Sequence, residues 1–422
     1  MTNDDQFSHK RTAVGGVLSG LGRMFPALEE RDFRTLWLGM LPGVLAMQMY
    51  FFVNGYFAFE LTGVASSIGV ISLGFGLPML FLSLVGGIAA DRHSRLRIIV
   101  ITQILLVTGA VLMAVLVLTD LIKLWHMLCI SVVMGSAFTF HMPARQSFVA
   151  DLISPPRLMN AVALSGAGLN ASRVLGPPLA GALIGLPWIG VGGVYVLMAV
   201  MLILVFFGLS RLSDRGRGDE GDSLTGFRSL LDGFAYIRDN PVLPVLLILS
   251  LAPIILGMPY QALMPVVAKN VYHVGPGGLG ILMMVNGIGG LAGSLVIASL
   301  RSLRRPGLVQ LSLGISFGLL LAAFSFVRTY VPGMCLLFTV GFMSACYLSL
   351  NASLIMEKSD RRYHGRVMSI YMLTFSALPL GNMLISSMAD AFGVLTTIRT
   401  GGTLLAVIVL LFGSYSRSYR NM

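Results

Sequence analysis

Residues 86–97 read GGIAADRHSRLR. A long apolar run ends there in two glycines, a carboxylate and a burst of arginines, and a second apolar run begins at once. In a soluble protein this would be a short basic loop between two helices. Its neighbours decide otherwise: each flanking run is long enough to cross a ~30 Å hydrocarbon core, which takes about 20 apolar residues. The loop is therefore read as a tight turn at a membrane surface. Composition agrees, with 56% apolar and only 11% charged residues over 422 positions, so the bilayer is the solvent. The net charge of +11 does not indicate nucleic acid, because the basic residues sit in the gaps between apolar runs and are not gathered with aromatics on one face.

Working outward from that turn, apolar runs fall at about 35–60, 66–90, 96–119, 124–151, 158–185 and 187–210, and again at about 242–268, 277–300, 306–327, 331–357, 366–390 and 394–416. The expected fold is an all-α polytopic membrane protein of twelve transmembrane helices in two pseudo-symmetric six-helix bundles. The domains are a tail over 1–34, a first bundle over 35–210, a linker over 211–241, a second bundle over 242–416 and a short tail over 417–422. Placing both tails and the linker on one side collects 24 of the 29 Lys and Arg residues there. Only Lys123, Lys269, Arg328 and Arg399 fall on the other side, and Arg173 on neither. Basic loops stay in the cytoplasm, so both termini are expected there, in a bacterial inner membrane. In the linker, Phe227, Leu230, Leu231, Phe234 and Ile237 recur at helical spacing and predict an amphipathic helix on the membrane surface. The two bundles are weakly alike. Asp151 ends the fourth run and Glu357, 206 positions later, ends the tenth. Six spans related to six is the repeat logic of transporters, with the substrate path between the repeats.

The opening stretch also resembles a family signature. In the major facilitator superfamily the loop between helices 2 and 3 carries G-x-x-x-D-R-x-G-R-[RK], and Gly87, Asp91, Arg92 and Arg95 stand at matching positions, with Ser94 for the glycine. MPARQSFVADL, RLMNAVAL and SRVLGPPLAG are similar to helices 4 and 5 of the branch containing the enterobactin exporter, the transmembrane secretion effector type. GRVMSIYMLTFSALPLG is similar to its helix 11, and YQALMPVVAKNV with GGLGILM to its helices 7 and 8. The resemblance implies a cytoplasmic gate in which Asp91 meets the N-terminus of helix 11, here Gly365 and Arg366, and Arg95 pairs with Asp151. It also implies a helix-5 packing motif in Gly176, Pro177, Ala180 and Gly181, common in exporters.

Read from the residues themselves, Arg173 is the sharpest position. It lies about 20 Å along its helix from Asn160, near mid-membrane, where an arginine costs ~2.5–3.5 kcal/mol even on a lenient scale. Gly166, Asn170, Arg173 and Pro177 share one face. Either Arg173 serves the substrate or a proton step from a cavity, or it is a structural arginine held by other spans. His141 and Arg145 share a face of helix 4, where Arg145 either binds substrate or snorkels and His141 either titrates or packs. Gln48, Asn54, Tyr260 and Gln261 are further candidate cavity groups. No carboxylate falls at mid-depth in any run, and no metal, nucleophile or nucleotide-binding constellation is present. No cofactor is expected, and the chain is not expected to be an enzyme. The expected function is secondary export of a small amphiphilic molecule by alternating access, driven by an ion gradient through proton antiport. The chain is expected to act as a monomer in lipid without nucleic acid. A lipid or lysolipid flippase of the same fold, or a transport-inactive membrane sensor, is the alternative.

Overall fold

The computed structural model describes residues 26–210, 232–300 and 303–415. Most of the two tails, the first part of the linker with Phe227, Leu230 and Leu231, and Arg301 lie outside the described residues. Within them the chain is all-helical. A 3-10 turn, Pro26–Glu29, leads into α1 (Arg31–Thr62), α2 (Ser66–Arg92), α3 (Arg95–Leu118), α4 (Leu124–Asp151), α5 (Leu158–Ile184) and α6 (Gly190–Leu209). The second set is α7 (Leu243–Asn270), α8 (Pro276–Ser299), α9 (Pro306–Phe324), α10 (Tyr330–Lys358), α11 (His364–Phe392) and α12 (Val394–Tyr415). Hydrocarbon offers the backbone no hydrogen-bond partner, so each span satisfies its own amides as a helix.

Eleven of these helices are long and apolar enough to cross a membrane. The remaining long helix is α5, whose glycines, Asn160, Asn170, Arg173 and paired prolines dilute its hydropathy. It is sandwiched between α1 and α8, and this packing holds a segment that lipid alone would favour less. In the first half α2 packs on α4 and α3 on α6; in the second, α8 packs on α10 and α9 on α12, the same pairs shifted by six.

Close packing rests on glycines set against backbone. A Cβ on Gly86 would stand 2.7 Å from the carbonyl oxygen of Thr139, where α2 crosses α4. Gly135 lies in the same way over Phe75 of α2, and Gly289 and Gly293 of α8 over Phe338 and Phe342 of α10. Gly86→Val is expected to overpack this crossing by about 1–3 kcal/mol. Size-exclusion chromatography of detergent extracts should show a clear fall in the monodisperse fraction, and an unchanged profile would mean the crossing yields freely.

Two expected runs are interrupted. Helix α7 passes through a π turn at Pro253–Gly257 and a 3-10 turn at Met258–Gln261 before resuming at Met264. Helix α11 is broken by a 3-10 turn at Phe375–Ala377, just before Pro379. Prolines remove amide donors, so both helices change hydrogen-bond register there.

The linker helix is described only in its second part. Its described part, residues 232–239, leaves Phe234 48% exposed and buries Ile237. It docks on the start of α11: Gly233 lies against Arg366 and Ile370, and Tyr236 stacks on Tyr363 at 4.2 Å. The Tyr236 hydroxyl also accepts from the Asp360 amide at 2.9 Å. Stacking and hydrogen bonding thus hold this part of the linker to the second half.

Candidate functional site

The two halves face each other through α2 against α11 and α5 against α8. The arginine-bearing loops, from the turn at Arg92–Arg95 to the one at Arg361–Arg362, mark one end of the bundle, called here the basic end.

At the opposite end the halves are sealed. The Asp390 carboxylate, at the close of α11, accepts from the amides of Ala65 (2.7 Å) and Ser66 (2.8 Å) at the start of α2. An anion thus caps a helix N-terminus, where unpaired amides and the helix dipole favour negative charge. Lys269 of α7 reaches Glu60 of α1 at 2.8 Å. Deeper in, Asn382 donates to Ser72 at 3.4 Å. Gly69 and Gly76 of α2 lie against Met383 and Pro379 of α11, and Gly280 of α8 lies against the backbone of Pro177 and Pro178.

Toward the basic end the halves part. The second segment of α11, Leu378–Phe392, packs on α2, whereas the first, His364–Thr374, packs on α10 and α7 of its own half. Gly87 of α2, Gly166 of α5 and Gly365 of α11 have nothing within 4 Å of where a Cβ would sit. The arrangement is a path closed at one end and open at the other.

The sequence candidates divide along this path. On α5, Ser172 and Gly176 are buried, with Gly176 against Gln48 of α1. Asn170 and Arg173 are exposed on the neighbouring face that also carries Gly166. Among the described residues Arg173 has no hydrogen-bond or ion-pair partner. Gly181 lies against Pro276 of α8, Pro177 against Gly280, and Ala180 is fully buried, so the helix-5 motif sits in the α5–α8 crossing and against α1.

Two candidates lie elsewhere. Asn54 is buried and accepts a hydrogen bond from the Tyr195 hydroxyl of α6, and His141 is buried with its ring nitrogen 2.9 Å from Thr102 of α3. Both are satisfied inside the first half and do not line the path. Tyr260 is buried and accepts from Asn286 of α8 at 2.6 Å, which also donates to the Leu337 carbonyl of α10. It ties three helices together, with Gln261 beside it only half-buried.

At the basic end Arg95 and Asp151 form an ion pair linking the ends of α2, α3 and α4. Arg157 meets Glu29 at 2.8 Å and Glu30 at 3.2 Å. Arg366 pairs with Asp232 of the linker at 3.6 Å. The Asp91 side chain is not among those described.

Asp390 and Glu60 stand at the ends of their spans, where sequence alone assigns them no partner. Their partners are a helix start and a lysine in the other half, more than two hundred residues away in the chain. Asn286 had one available signal, a lone amide in an otherwise apolar and glycine-rich span.

The two helical halves meet at one end and part toward the other, and the comparisons say to which family such a chain belongs. The profile of the transmembrane secretion effector family matches residues 23–418, and the chain belongs to that family, within the major facilitator superfamily. It is a multi-pass membrane transporter of an efflux family and not an enzyme. Macrolide efflux protein A of Streptococcus pyogenes is 23% identical over 390 residues, covering 90% of this chain and 94% of its own. The staphyloferrin A transporter of Staphylococcus aureus is 23% identical over 362 residues, covering 84% and 88%. Among solved structures, a bacterial homologue of the human lysosomal transporter Spinster, inward-facing and unoccupied, superposes with a TM-score of 0.70 at 14% identity, over 92% of this chain and 95% of that one. That likeness concerns the fold.

Proposed function

We propose that the protein exports a small amphiphilic molecule across a bacterial inner membrane by alternating access, in exchange for protons, with both termini and the linker in the cytoplasm. The observation that carries the reading is Arg173, without a hydrogen-bond or ion-pair partner among the described residues, on a path sealed at the opposite end and parted at the basic end. With the basic end in the cytoplasm, this is the inward-open state, ready to load. Asn170 lies on the same face as Arg173, so a cation and an amide are offered together to a substrate. The efflux relatives support the direction of transport. The chain has no nucleotide-binding motif, which leaves an ion gradient as the driving force.

The reading is tested in inside-out vesicles energised by respiration, with dansyl-labelled amphiphiles of differing charge. At least one should accumulate at several times the rate seen without the protein, and a protonophore should abolish the gain. No gain with any probe would leave the exporter reading without support, and a gain that survives the protonophore would rule out proton exchange.

Orientation is checked separately. Leu121→Cys, at the opposite end and 63% exposed, is expected to react with an impermeant maleimide in intact cells. Arg362→Cys, at the basic end, should react only after permeabilisation. The reverse pattern would invert the topology.

A further inference from the structure

Nearer the basic end than Arg173, a shallow cleft with about 20 Å³ of enclosed space, half open to its surroundings, lies between α1, α4 and α5. Its walls are apolar, formed among others by Trp37, Leu41, Val44, Val149 and Leu169. Two side chains that can bind an anion enter it, Arg145 from α4 and Ser165 from α5. They stand at matching depth: Arg145 is six residues from the end of α4 and Ser165 seven from the start of α5, each about 10 Å in by the helical rise. Both are half-buried, and among the described residues neither has a hydrogen-bond or ion-pair partner.

The neighbouring acids are already engaged. Asp151, further along α4, is held by Arg95, and Glu29 and Glu30 by Arg157. His141, one turn away on α4, is bonded to Thr102. The Trp37 indole N–H donates to the Leu164 carbonyl at 3.2 Å, so the ring adds apolar surface to the cleft. A guanidinium drawn into such surroundings is costly unless an anion meets it, and no described residue supplies one. The apolar walls beside it suit a hydrocarbon body, and the guanidinium fork suits a carboxylate or a phosphate.

We infer that this cleft is a binding site for single-chain amphiphiles carrying one anionic headgroup. Arg145 and the Ser165 hydroxyl hold the headgroup, and the chain lies along Leu41, Val44 and Leu169. The site stands about 12 Å before Arg173, eight residues on along α5. Its place as the loading point of a transport path rests on the proposed export function; the binding itself does not.

Trp37 provides the readout. In protein carrying Trp125→Phe and Trp188→Phe, both exposed positions at the opposite end, it is the sole remaining tryptophan of the three. The protein is placed in nanodiscs of zwitterionic lipid and titrated with 11-bromoundecanoate or 11-bromoundecyl-trimethylammonium, whose bromine quenches indole on contact. Protein retaining only Trp188 gives the background from partitioning into lipid.

Saturable quenching by the carboxylate is expected, at a half-saturating concentration at least tenfold below that of the cation. Arg145→Met should raise it tenfold or more, and Arg145→Lys by less. Dodecyl phosphate should compete. Added phosphatidylglycerol distinguishes sources: competition means that the amphiphile comes from the bilayer, and its absence that it comes from the cytoplasm, with the site upheld either way. Equal quenching by anion and cation in the parent protein, which depends on no change at Arg145, would overturn the inference and leave Arg145 as a snorkelling residue. Binding is read without turnover. Anion binding without flux would therefore count against the export function alone, and flux without anion preference against this site alone.

Discussion

Methionine in place of Arg173 is expected to stop transport while leaving the protein folded. Removing a structural arginine usually leaves buried partners unsatisfied. Here no described residue bonds the side chain, so its loss strands nothing. It also relieves the cost of a cation at this depth, on the order of 2.5–3.5 kcal/mol. Folded yield should therefore hold or rise. Flux per folded molecule in proteoliposomes, read with whichever dansyl amphiphile the parent exports, should fall at least tenfold. Arg173→Lys keeps the charge without the planar fork, so an intermediate rate with weaker apparent affinity is expected. Ordinary flux from the Met variant would remove Arg173 from the mechanism.

Asp390→Asn is expected to open the opposite end. The carboxylate receives two amide hydrogen bonds from the start of α2, and asparagine loses the charge while keeping the shape. At an exposed helix terminus that loss amounts to roughly 1–2 kcal/mol, a factor of about 5–30 in the balance between open and closed. Spin labels at Trp188 and Val331, exposed positions near that end in the two halves, should shift toward longer separations. An unchanged distance distribution would show that Glu60–Lys269 and the helix packing hold the seal without Asp390. The proposed role of Asp91 is the mirror image, an acid at the basic end of α2 set against the start of α11. The two acids would then alternate, one latch engaged in each state.

The fold was legible because the bilayer simplifies the grammar. Apolar length gives spans and arginine placement gives sides, and both are local properties of the chain. Helix α5 shows the limit: read as an apolar run like the others, it is less apolar than they are and is held in place by α1 and α8. The interruptions in α7 and α11 were not read, since a proline inside a span is compatible with a kink, a π turn or an unbroken helix. Among the candidates, Arg173 stands out in the sequence because a cation at mid-depth is expensive wherever it faces, and Asn170 because it shares that face. For Asn54 and His141 the sequence left the partner open, for the complementary reason. A polar residue on a span shows that it needs a partner, and whether that partner is a substrate or Tyr195 or Thr102 depends on which helix lies alongside.

The contacts between the halves bear on how fast such a molecule can turn over. Side chains that interlock like gear teeth must be disengaged before one surface can move past another, and each cycle would meet that barrier. Where α5 meets α8 and α2 meets α11, glycine is set against proline and main chain, with little to catch. Such a seam behaves as a plain bearing. Resistance to rocking is then concentrated in the few charged clasps at the sealed end, and the speed of the cycle becomes adjustable at those clasps without redesign of the shaft.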